Sequence, residues 1–62
     1  MNSRPDVGTL VEIIADCCWG YQEIGLVTGH PPQTERVIDV LIDGTIGTYH
    51  IHWVQPIEAN ND

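Results

Sequence analysis

The stretch VLIDGTIGTY, residues 40–49, decides how this chain is read. Two runs rich in β-branched residues flank Asp43-Gly44. A two-residue type I′ turn needs positive φ at both central positions, and Asp-Gly supplies them at low cost. The spacing predicts a hairpin in which Ile42 faces Thr45, Val40 faces Gly47 and Ile38 faces Tyr49. Side chains alternate between faces along a strand. One face then carries Ile38, Val40, Ile42, Tyr49 and Ile51, and the other Val37, Asp39, Leu41, Ile46, Thr48 and His50. The first is the more apolar and is expected to point inward. A slip of one residue would turn Asp39 inward, so the register is strongly specified. Gly47 opposite Val40 leaves room for the strand to bend.

Further strands follow outward from the hairpin. Residues 7–14 (VGTLVEII) alternate as a partly buried strand does, with Gly8 marking a bulge or a close backbone approach. Residues 15–23 (ADCCWGYQE) break the pattern and form a loop carrying Trp19 and Tyr21. Residues 24–28 (IGLVT) are a second strand, and residues 29–34 (GHPPQT) a loop, since Pro31 and Pro32 lack backbone donors. Residues 35–42 form the third strand. Residues 52–54 (HWV) read as a short 3₁₀ turn and residues 55–58 (QPIE) as a last strand, confined to an edge by Pro56. The expectation is an all-β domain over 7–58, between a flexible N-terminus (1–6) and a polar tail (59–62).

That order looks like a small five-stranded SH3-like barrel with a 3₁₀ turn before the last strand. The segments VGTLVEI, EIGLVTG, VIDVLIDGTIGTY and WVQPIE resemble short SH3-like proteins encoded by bacteriophages, particularly marine cyanophages. The resemblance spans residues 7–57 and implies an architecture and a viral or environmental origin. It implies no catalytic residues.

Composition narrows the function. A 62-residue chain makes one domain of marginal stability. Nine carboxylates stand against Arg4 and Arg36, with no lysine, for a net charge of −7. Phosphate backbones are bound through Lys and Arg, so nucleic-acid binding is disfavoured. An acidic surface serves solubility or a basic protein partner, and in principle imitates a nucleic acid's charge. No signal pattern opens the chain and no apolar run is long enough to span a bilayer, so a cytoplasmic protein without membrane contact is expected.

Residues that carry chemistry are few. His50 and His52 form a His-x-His pair that His30, Cys17 or Cys18 would have to complete as a metal site. Two ligands without a third predict neither a metal nor any other cofactor. Adjacent Cys17 and Cys18 are expected as thiols, at least one packed as a small apolar group. A Cys18–His pair has no supporting spacing, and so small a domain offers little substrate volume, so no enzymatic activity is expected.

The aromatics are the better lead. Trp19, Tyr21 and Trp53, with Asp16 and Glu23 nearby, suit a groove for a basic or proline-rich peptide. The simpler reading, preferred over the groove, is that the tryptophans plug the ends of a small core that has no Phe. Val37, Leu41 and Ile46 are expected to form an apolar strip on the hairpin's outer face, a contact for a homo-oligomer. The expected function is a non-enzymatic interaction or structural module that binds a protein partner or itself. The alternative is a metal-binding or nucleic-acid-associated accessory protein.

Overall fold

The computed structural model describes residues 4–57. The chain runs β1 (Leu10–Ile13), β2 (Ile24–Gly29), β3 (Val37–Ile42), β4 (Thr45–His50), a 3₁₀ turn (Ile51–Trp53) and β5 (Val54–Pro56). These strands form one five-stranded sheet of order β4-β3-β2-β1-β5, every neighbouring pair antiparallel. The all-β class and the 3₁₀ turn before the last strand are as expected. The sheet is open: β5 pairs with β1 and not with β4, so hydrogen bonds do not close a barrel.

The hairpin has the predicted register, with Ile42 on Thr45, Val40 on Gly47 and Ile38 on Tyr49. Asp43 has φ 53° and Gly44 φ 81°, the two positive values a type I′ turn demands. Ile38, Val40, Ile42 and Tyr49 are buried, together with Val11, Ile13, Val27 and Val54. Ile51 is half-buried, because the 3₁₀ turn begins there and takes it off the strand's alternation. The bend expected at Gly47 has another occupant: a Cβ there would lie 3.1 Å from Tyr49 Cε1, so the tyrosine ring fills the space.

Several boundaries move for local reasons. Gly8, at φ 97°, belongs to a turn closed by Thr9 N–H to the Asp6 carbonyl (3.1 Å), and β1 starts only at Leu10. The register shift lies instead in β2, between Val27 and Gly29. Arg36 N–H donates to Thr34 Oγ1 (3.2 Å), holding residues 35 and 36 in a turn and delaying β3 to Val37. The His50 side chain accepts from His52 N–H (3.1 Å) and caps the 3₁₀ turn one residue earlier than predicted, which releases Val54 into β5 and the core. Pro56 does lie on an edge strand. Within the segment expected to be flexible, Arg4 Nη1 donates to the carbonyls of Pro31 (2.8 Å) and Thr34 (3.1 Å). Residues 1–3, the expected tail 59–62 and Glu58 lie outside the described residues.

The turn at Ile51–Trp53 joins the two edge strands of the sheet. In a flat sheet those edges would be about 19 Å apart, at about 4.8 Å per strand. Three 3₁₀ residues rise only about 6 Å. The sheet is therefore strongly rolled, with the buried aliphatics on its concave side and residues 15–23 at its end.

Candidate functional site

The candidate site is built on the β1–β2 loop and shaped by one hydrogen bond. Tyr49 Oη donates to the Trp19 carbonyl at 2.7 Å. Gln22 N–H donates to the Ile13 carbonyl (2.9 Å) and Ile13 N–H to the Glu23 carbonyl (3.0 Å), fastening the loop's base. Its backbone thus lies across the end of the core. At Gly20, φ is 85° and a Cβ would lie 3.0 Å from Ile42 Cδ1 and 3.5 Å from Tyr49 Oη.

This arrangement corrects the plugging reading. Backbone at Trp19-Gly20 covers the core's end, and the tryptophan rings are left outside it. Trp19 is 59% exposed and Trp53 39%, while Tyr49 is buried. Trp19 and Trp53 are brought together as walls of one pocket of about 350 Å³, which Cys17, Cys18, Gly47, Thr48 and Tyr49 complete. On its other side Trp19 borders a second pocket of about 280 Å³, shared with Gly20, Tyr21, Glu23, Ile42 and Asp43. Trp19 is a ridge between the two. Tyr21 and Glu23 face only the second pocket, and Asp16 lines neither, being exposed nearby. Asp43 is the residue that sequence reasoning missed, since its turn role accounted for it fully.

The thiols are unequal. Cys17 Sγ and Cys18 Sγ are 3.9 Å apart and unbonded; Cys17 is exposed and Cys18 packs against the core. Burial pushes the Cys18 pKa up, and the hydrogen bond to Cys17 and the nearby charges of Cys17 and Asp16 push it further. Thiolate is the reactive form. Iodoacetamide at neutral pH is therefore expected to alkylate Cys17 before Cys18. Peptide mapping by mass spectrometry checks this, and equal labelling would contradict the packing of Cys18.

The histidines do not gather. His50 spends its Nδ1 lone pair on the 3₁₀ cap, with its ring centroid 4.9 Å from that of His52 and 5.7 Å from Trp53. His30 bonds instead to the Pro5 carbonyl, Nε2 to O at 2.6 Å. Among the described residues, no group of three or more His, Cys, Asp or Glu is placed to hold a metal ion.

The outer strip also differs from expectation. Leu41 and Ile46 are direct cross-strand partners, but Val37 pairs with His50 and is cut off from them by the Asp39–Thr48 pair. The apolar row runs the other way. Leu26 pairs with both Leu41 and Leu10, and Ile57 N–H donates to the Leu10 carbonyl at 2.9 Å. Leu10, Leu26, Ile46 and Ile57 are all substantially exposed.

No helix among the described residues is long and apolar enough to cross a membrane. No protein-family model, curated protein or solved structure matches the chain.

Proposed function

We propose that this chain is a non-enzymatic, SH3-like interaction module that binds a basic or proline-rich peptide of a partner protein through the Trp19–Trp53 pocket. The strand order, the rolled sheet and the 3₁₀ turn between its edge strands support the SH3-like reading. A phage origin rests on the segments quoted above. The observation that carries the binding reading is the pair of exposed tryptophans on one concave surface. Aromatic anchors in a pocket dominate interface energetics, and the chain's net charge of −7 would speed the approach of a basic partner.

Trp53→Ala is expected to weaken binding to a proline-rich, arginine-containing peptide by about 2 kcal/mol, the size of an interface hot spot. Isothermal titration measures this. Unchanged affinity, with the fold verified by circular dichroism, would end the reading.

Self-association is a second reading, favoured by the row Ile57–Leu10–Leu26–Leu41–Ile46. Glu12 and Asp39 share that outward face on either side of the row and oppose a copy laid against it. Sedimentation at high protein concentration decides: a dimer dissolved by Ile46→Lys supports the contact, and a strict monomer removes it.

A further inference from the structure

We propose that Cys17 and Cys18 form a two-thiol site for a trivalent arsenical carrying one apolar group, with arsenic bonded to both sulfurs and the group lying in the Trp19–Trp53 pocket. The two Sγ atoms are 3.9 Å apart, and both cysteines line that pocket beside Trp19, Tyr49 and Trp53. For scale, zinc bonded tetrahedrally to two thiolates at about 2.3 Å holds them about 3.8 Å apart, so a single atom reaches both sulfurs with little movement. Closing the pair on itself is harder. Adjacent Cα atoms across a trans peptide are about 3.8 Å apart, short of the roughly 4.4–6.8 Å that a disulfide spans. The pair is therefore kept as thiols, open to a bridging atom.

The number of donors selects the ligand. Structural zinc takes four ligands. Among the described residues, no third His, Cys, Asp or Glu joins the pair to hold a metal ion. A metal ion also needs both sulfurs as thiolates. Burial first, and then Cys17 and Asp16, favour the neutral thiol at Cys18. Monosubstituted trivalent arsenic has two exchangeable positions, which two thiols fill. Two As–O bonds break and two As–S bonds form, and each thiol proton leaves with a hydroxyl group as water. Arsenic stays trivalent, so no oxidant or reductant takes part, and the product is neutral. Exposed Cys17 bonds first, and Cys18 then closes the ring within the same chain.

The pocket supplies the rest of the recognition. None of its lining residues bears a carboxylate or a basic group. Its two hydroxyls already donate elsewhere, Thr48 Oγ1 to Asp39 Oδ1 (3.0 Å) and Tyr49 Oη to the Trp19 carbonyl (2.7 Å). Its volume, about 350 Å³, lies at the small end of ligand sites, about 300–1,000 Å³. An aryl group suits these walls, since it buries apolar surface against two indoles and asks for no hydrogen bond. The capture stands on the thiols and the pocket and does not rest on peptide binding.

Phenylarsine oxide and methylarsine oxide are the probes, each titrated into the full chain without oxygen and in competition with dithiothreitol, which cancels arsenic's own preference for thiols. Native mass spectrometry is expected to find one arsenic per chain. Cys17→Ser and Cys18→Ser should each weaken capture about a hundredfold or more, the scale of losing one of two linked attachments. The phenyl compound should be held about tenfold more tightly than the methyl one, as burying part of an aromatic ring gives. Nuclear Overhauser contacts from the phenyl protons to the Trp53 indole should place the ring in the parent chain without any substitution. Two chains per arsenic, either serine variant as tight as the parent, equal affinity for the two arsenicals, or contacts elsewhere would each overturn the proposal. If peptide binding fails while both sulfurs still hold the phenyl compound, the peptide reading falls and this site stands.

Discussion

Gly25→Ala is expected to destabilise the domain by about 3 kcal/mol, the upper end of the usual range for overpacking a core. A Cβ at Gly25 would collide with Val40 Cγ1 and lie 2.8 Å from Ile42 Cγ1 and 3.1 Å from the Leu41 carbonyl oxygen. Neither neighbour yields cheaply. Val40 and Ile42 are β-branched, stiff at χ1 and buried in the core. Gly25 itself is buried and pairs with Val11 on the opposite side. Its φ lies outside the left-handed region, so chain entropy alone would make alanine stabilising by about 0.4–1 kcal/mol. The two arguments have opposite signs, and packing wins only if β2 and β3 approach as closely as described. A domain of 62 residues has a total stability of about 3–9 kcal/mol, so the variant loses between about a third and all of it. Urea denaturation followed by circular dichroism measures the loss. Gly44→Ala is the control: at φ 81° in open space it carries only backbone strain, about 1–2 kcal/mol. A Gly25→Ala variant as stable as the parent would refute the packing of the sheet's concave side.

Residues 40–49 were legible because two independent constraints coincide there. The turn chemistry of Asp43-Gly44 sets the register, and the alternation of Ile38, Val40 and Ile42 says which face is buried. Only one constraint acts elsewhere. β1 and β2 alternate but are joined by a ten-residue connection, so no turn chemistry sets how Leu10 meets Leu26, and the row across the outer face could not be read. Gly25 looked like any glycine inside a strand, because its neighbours Val40 and Ile42 belong to another strand. The exposure of the tryptophans is hidden from the sequence for a related reason. Counting large residues suggested that the core needed Trp19 as a cover, whereas the cover is backbone, made possible by Gly20 and Tyr49. Asp43 reads as a turn residue and also lines one pocket with Tyr21 and Glu23, a neighbourhood that only the folded loop creates.

Tyr49 joins core and site, and its two substitutions should separate those roles. Tyr49→Ala is expected to cost about 3–5 kcal/mol, as truncating a buried aromatic ring does, at least about a third of the domain's stability. The ring is buried, lies over Gly47 and supports the wall of the Trp19–Trp53 pocket. Tyr49→Phe keeps that ring and removes only the donor to the Trp19 carbonyl. Its cost is about 1 kcal/mol, the net value of one hydrogen bond, and it should fall on residues 15–23 more than on the sheet. Amide exchange would show it as faster opening of that loop with little change at β3 and β4. The phenol also gives a pH signature. Burial pushes the Tyr49 pKa up, and the nearby charge of Cys18 pushes it further. A group whose pKa is higher folded than unfolded stabilises the fold in full below its unfolded value, about 10 for Tyr. That contribution is lost as pH climbs through the folded value. The parent should therefore lose stability above about pH 10, and Tyr49→Phe, having no proton to release there, should lose less. Parallel alkaline denaturation curves for the two proteins would mean that the Tyr49 hydroxyl is already in water, and the bond that lays Trp19-Gly20 over the core would go with it.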